Sequence, residues 1–146
     1  MRDKIIRFLI TAKQSTYAGK GAETQSSRIK SNDLIYREDD LLYYDTYLGG
    51  ERFAGEEAIW IEDVSYWSMN YVGRVTGANF SGDFLKEALL NVPFDMPYRG
   101  PEHYSHGEYT YECKAVGGFE WFQGREAIFY RGAEIHECYF HGGLVQ

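Results

Sequence analysis

The chain has 146 residues, 44% of them hydrophobic and 25% charged, with a net charge of −7. That length suits one ordinary domain with room for a real core. The acidic balance argues against a nucleic-acid surface, which needs a basic stripe to neutralise phosphates.

The first segment, Asp3 to about Gln14, sets Ile5, Ile6, Phe8, Leu9 and Ala12 at helical spacing and predicts an amphipathic helix. Tyr17-Ala18-Gly19 ends it, and a loop rich in Gly, Ser, Thr and Gln runs to about Asn32. Lys20 to Lys30, the nearest approach to a basic patch, reads better as a mobile polar loop. From Asp33 the period changes to two. Leu34-Ile35-Tyr36 and Leu41 to Leu48 flank the charged turn Arg37-Glu38-Asp39-Asp40, a hairpin pattern closed by Gly49-Gly50. Glu56 to Glu62 and Ser65 to Val72 predict another hairpin around Asp63. Ser81 is placed to cap a helix carrying Phe84, Leu85, Ala88, Leu89 and Leu90, with Pro93 as its stop. Pro97 to Pro101 then reads as a rigid loop, with His103 and His106 in loop as well. Tyr109 to Val116, Glu126 to Arg131 and Glu134 to Phe140 read as strands, with turns at Gly117-Gly118 and Arg131-Gly132.

The landmarks occur twice. Gly49-Gly50 with Gly55-Glu56-Glu57-Ala58-Ile59 is echoed by Gly117-Gly118 with Gly124-Arg125-Glu126-Ala127-Ile128, and Tyr43 by Tyr111. The fold expected is therefore α+β: an internally duplicated helix-plus-antiparallel-meander unit with two main helices packed on a largely antiparallel sheet. A single domain over residues 1–146, with pseudo-repeats about 3–75 and 81–146, follows from the same echo.

No apolar run approaches the roughly 20 residues of a membrane helix, and charges interrupt the apolar residues of Met1 to Arg7, unlike a signal peptide. Two cysteines without a secretion signal make the reducing cytoplasm the default, with Cys113 and Cys138 as free thiols rather than a disulfide. The four histidines offer no convergent set of ligands, so neither a metal nor a cofactor is expected.

Aromatic residues make up 17% of the chain, thirteen of them tyrosines. Strand alternation puts Tyr43, Asp45 and Tyr47 on one face, and Trp67, Met69 and Tyr71 on one face of a later strand, with Trp60 opposite Glu57 on its own. An aromatic wall with a carboxylate suits a flat or cationic ligand; it equally suits a tyrosine-rich core with hydroxyls at its rim. Glu57 and Glu126 share their strand faces with Ile59 and Ile128, and a carboxylate on an apolar face needs a specific partner. Two readings are open. The acids bind a cation or move protons in a shared cavity, or each accepts bonds from backbone amides around the preceding glycine turn.

Phe80-Ser81-Gly82-Asp83-Phe84-Leu85, Met96-Pro97-Tyr98-Arg99-Gly100-Pro101, Tyr47-Leu48-Gly49-Gly50 with Phe53-Ala54-Gly55-Glu56-Glu57, and Glu137-Cys138-Tyr139-Phe140-His141-Gly142-Gly143 are long, specific motifs. They resemble a family of small bacterial domains of unknown function, common in Firmicutes, over nearly the whole chain. The resemblance brings no catalytic residues. It implies that some relatives carry an amino-terminal helix-turn-helix DNA-binding domain, hence a sensory or effector-binding role. This chain starts at the domain itself, so direct repression is not expected. Duplicated effector domains of drug-sensing regulators are similar in pseudo-symmetry and in acid-plus-aromatic content.

The function expected is a cytoplasmic small-molecule binding domain, with Tyr43, Glu57, Trp60, Trp67 and Glu126 as candidate pocket residues. The partner would be a small aromatic or cationic ligand, with a homodimer open, and neither nucleic acid nor a membrane. The rivals are a small enzyme using Glu57 or Glu126 as general base, with His136, and a protein-interaction module.

Overall fold

The computed structural model describes residues 1–146. Helix α1 spans Arg2–Ser15, followed by strands β1 (Asn32–Glu38), β2 (Leu41–Gly49), β3 (Arg52–Ile61) and β4 (Val64–Val75). Helix α2 spans Gly82–Leu89, followed by β5 (His103–His106), β6 (Tyr109–Gly118), β7 (Trp121–Tyr130) and β8 (Ala133–Leu144). All eight strands form one sheet in the order β1-β2-β3-β4-β8-β7-β6-β5. Each neighbouring pair is antiparallel, and β4 meets β8 at the centre.

Tight turns set the register. Glu62-Asp63 and Arg131-Gly132 are two-residue connections with positive φ at both positions, the twist that matches right-handed strands. Gly49 and Gly117 open the other two long hairpins at φ +91° and +90°. A Cβ at Gly49 would stand 2.1 Å from the Arg52 carbonyl oxygen, so only glycine fits that turn.

Alternation then divides the sheet into two faces. Tyr43, Trp67, Tyr71, Tyr111, Phe122 and Phe140 point inward and join Ile5, Phe8, Leu9 and Ala12 of α1 and Phe84, Leu85, Ala88 and Leu89 of α2 in one cluster of 25 buried residues. Both helices therefore cover the same face. Trp67 stacks on Phe119 and Phe122 at 5.2 and 5.7 Å, and its indole N–H donates to the Phe119 carbonyl at 3.1 Å. Ser81 caps α2 as expected, its hydroxyl accepting from the Phe84 amide at 3.1 Å.

The expected α+β architecture with two main helices is corrected. The fold is β-rich, a single eight-stranded antiparallel sheet with helices of 14 and 8 residues. The sheet's own inward rows explain why. A fully buried large apolar side chain is worth about 1.5–3 kcal/mol, and the aromatic rows on one face fill so much of the core that two short helices and the loops around them close it. Three boundaries also move. Helix α2 stops at Leu89, short of Pro93, while β3 and β7 begin at Arg52 and Trp121, ahead of the GxEAI segments. His103–His106 is an edge strand rather than loop, because it pairs with β6 from His103↔Glu112 to His106↔Tyr109.

Candidate functional site

The inward face of β2 carries Tyr43, Asp45 and Tyr47, and β3 sets Glu57 directly opposite Asp45. Such cross-strand pairs hold their Cβ atoms about 4.5–5.5 Å apart. Beside them, β4 contributes Tyr71. Gly55 lies across from Tyr71, and a Cβ there would meet the Tyr71 hydroxyl at 2.5 Å. Its bare backbone lets the ring lie flat over β3 so that its hydroxyl donates to Asp45 Oδ1 at 2.6 Å. From above, the last turn of α1 supplies Lys13 and the loop after α2 supplies Arg99; both are buried.

These groups form two linked clusters. In the first, Glu57 Oε1 accepts from Lys13 Nζ at 2.6 Å and from the Tyr43 hydroxyl at 2.5 Å, while Lys13 also donates to the Tyr98 carbonyl at 2.6 Å. In the second, Glu126 takes Arg99 in a two-point grip, Nε to Oε1 at 3.0 Å and Nη2 to Oε2 at 2.9 Å. The Tyr111 hydroxyl adds a bond to Oε1 at 2.6 Å, and His136 Nε2 lies 3.0 Å from Oε2. Arg99 also lies over the Tyr71 ring, 5.3 Å from its centroid, which ties the clusters together.

The acids differ in their electrostatics. Burial would push Glu126 up, but the Arg99 charge and the bonds from His136 and Arg99 outweigh it and hold its carboxyl at about 2. Asp45 goes the other way. Burial, reinforced by the Glu57 carboxylate, pushes it up to about 7 against the Tyr71 bond and the Lys13 and Arg99 charges. Burial and the neighbouring acids likewise raise Tyr43 and Tyr71, so both hydroxyls stay protonated as donors.

Asp45, Glu57, Lys13 and Arg99 line a cavity of about 240 Å³ together with Tyr17, Tyr47, Phe53 and Phe80. Asp45 is 4% exposed, and apart from the Tyr71 bond its carboxyl has no protein partner; the second oxygen reaches the cavity. Glu57 similarly keeps Oε2 free, since both its bonds fall on Oε1. The cavity thus presents unclaimed acceptors on two adjacent carboxyls, with aromatic walls around them.

The five residues singled out from the sequence have different surroundings. Tyr43 and Glu57 line the cavity. Glu126 is fully buried behind it and reaches it only through Arg99. Trp67 is core, stacked on Phe119 and Phe122. Trp60 packs edge-on against Tyr44 at 6.5 Å, away from the cavity. Neither glutamate is held by amides of its glycine turn; tyrosine hydroxyls and cations hold both instead. Cys113 and Cys138 are free and buried, and burial pushes both thiols up to about 12, far from a nucleophilic thiolate. No three His, Cys, Asp or Glu side chains converge as metal ligands would.

Sequence reasoning did not select three of the lining groups. Alternation puts Asp45 on the Tyr43 face, and its register opposite Glu57 is the signal that marks it. Lys13 carried a signal too, because it continues the apolar stripe four residues after Leu9, where a lysine needs a buried partner. Arg99 stood in a quoted motif, but nothing local marks it as buried.

Residues 45–145 match the model of a family described as a domain of unknown function, DUF5680. The chain belongs to this family. No curated protein and no solved structure matches it. The matched region holds Asp45, Glu57, Tyr71, Arg99 and Glu126, whereas Lys13 and Tyr43 precede it. No helix is long and apolar enough to cross a membrane.

Proposed function

We propose that this protein is a cytosolic small-molecule (effector) binding domain whose ligand, small and aromatic or cationic, sits in the cavity between α1 and strands β2 to β4. The observation that carries this reading is Asp45: a buried carboxyl with one oxygen unclaimed by the protein, aimed into a lined cavity. That oxygen stays accessible from the cavity, where a ligand donor can reach it. Tyr43 and Glu57 share the cavity, and Glu126 supports it by fixing Arg99. Apolar walls with a few convergent polar groups are what small-ligand sites generally present.

A thermal-shift screen of metabolites and small aromatic amines, alcohols and acids tests this. A ligand that binds only the folded state at 100 times its Kd adds about 2.7 kcal/mol of stability. The expected result is at least one compound whose shift is lost in Asp45→Asn. Shifts that survive Asp45→Asn and Tyr47→Ala alike would place binding elsewhere and sink the reading.

One observation favours a second reading. A carboxyl that titrates near 7 beside a second acid suits proton transfer to a bound substrate. Incubating hits from the screen with the protein and following them by mass spectrometry separates the two, since a binder returns its ligand unchanged.

A further inference from the structure

We infer that the cavity selects a ligand bearing a positively charged nitrogen, a primary or secondary ammonium on a compact apolar body, with the charge seated between the free oxygens of Asp45 and Glu57. This rests on the binding reading above and names the chemical class that the site takes.

The argument is an accounting of charge and donors. Five charged side chains meet here: Lys13 from α1, Asp45 from β2, Glu57 from β3, Arg99 from the loop after α2 and Glu126 from β7. Lys13 is committed to Glu57, and Arg99 to Glu126, each in a buried ion pair. The two cations are thus used up on two of the three acids, and Asp45 has no cation of its own. His136 does not supply one. Its Nε2 faces Glu126, while Nδ1 has no partner and the ring is stacked between Phe53 and Phe80 at 5.9 and 5.2 Å.

Lys13 and Arg99 keep further N–H donors at the cavity, Arg99 Nη1 among them, but neither cation bonds Asp45. The Tyr43 and Tyr71 hydroxyls already donate to Glu57 and Asp45, so the free sites on the two opposed carboxyls are acceptors once Asp45 is ionised. An ammonium carries two or three donors on one charged atom and satisfies both oxygens at once. The rings of Tyr17, Tyr47 and Phe53 line the same cavity, and their faces favour a cation over a neutral or anionic group. An anion would meet two carboxyls. A neutral alcohol could donate to the free Asp45 oxygen but would leave the ionised carboxylate without a counter-charge in low dielectric.

The test uses one apolar body with three head groups: 2-phenylethylamine, 2-phenylethanol and phenylacetate, each titrated calorimetrically into the full chain at pH 8 and again into Asp45→Asn. The amine is expected to bind at least tenfold tighter than either counterpart, and to lose at least tenfold in Asp45→Asn. Tyr47→Ala provides a second variant that leaves the carboxyls in place; it should weaken all three compounds in parallel. Equal or tighter binding of the alcohol or the acid overturns the charge inference while leaving the cavity as a ligand site. Absence of binding by all three, together with an empty thermal-shift screen, overturns both.

Discussion

Asp45 and Glu57 face each other across neighbouring strands, yet only Glu57 has a cation, Lys13 at 2.6 Å. Two carboxyls at adjacent buried positions cannot both ionise without cost. Lys13 pairs with Glu57 alone, and Asp45 is left to titrate at about 7. The difference lies in what the helix and the loop bring down onto the sheet, since the strands present both acids in the same way.

The Asp45 proton should make stability depend on pH. Its folded pKa is raised to about 7 from an ordinary value near 4. The contribution is therefore fully present below about pH 4 and is lost as pH rises to about 7. Asp45→Asn keeps the shape and an acceptor for Tyr71 but removes the titration. At pH 8 this variant should be more stable than the parent chain by about 1–3 kcal/mol, and the gap should close by pH 4. Urea unfolding of both proteins across this range is the measurement; a gap that widened toward low pH would show the shift to have the opposite sign.

Tyr71→Phe removes the hydroxyl that lowers the Asp45 pKa. Stability should fall by about 0.5–1.5 kcal/mol, and the carboxyl should titrate higher still. Carbon-13 chemical shifts of the Asp45 side chain report that midpoint directly.

Glu57→Gln and Glu126→Gln should both destabilise the protein, and the second more. Removing Glu126 leaves Arg99 buried without its carboxylate, a loss of about 3–5 kcal/mol. Glu57→Gln retains an acceptor for Tyr43, and Lys13 keeps its bond to the Tyr98 carbonyl, so about 1–3 kcal/mol is expected. Denaturant midpoints in the reverse order would mean that the Arg99 cluster relaxes into solvent when opened.

Asp33 holds the long loop after α1. Its carboxylate accepts from the Ser27 amide at 3.0 Å and from the hydroxyls of Ser31, Tyr44 and Thr46 at 2.6, 2.7 and 3.0 Å. Burial opposes ionisation, but these bonds win and hold the pKa well below the usual range. The stabilisation is present above about pH 4 and is lost as pH falls. Asp33→Ala should cost about 1–3 kcal/mol and speed protease cleavage within residues 20–31. An unchanged cleavage rate would show that the loop is held by other contacts.

Much of the sheet was legible because its signals are local. The period of two, the glycine and Asp63 turns, and the grouping of Tyr43 with Asp45 and Tyr47 all depend on neighbours in the chain, and the strands follow them. The edge strand at His103 was hidden because four residues carry no clear period, and only pairing with β6 makes them a strand. Trp60 and Trp67 drew attention by residue type alone, yet one packs against Tyr44 and the other stacks in the core.

By itself the sequence determined which residues alternate, where the chain turns, and that Glu57 and Glu126 lie on apolar strand faces in need of partners. Only the tertiary structure decided who those partners are. Lys13 reaches Glu57 across 44 positions and Arg99 reaches Glu126 across 27. Such contacts leave no periodic trace, because they depend on how two short helices and a loop settle on a finished sheet. The same packing decided that Asp45 goes without a cation, and so where a ligand's charge belongs.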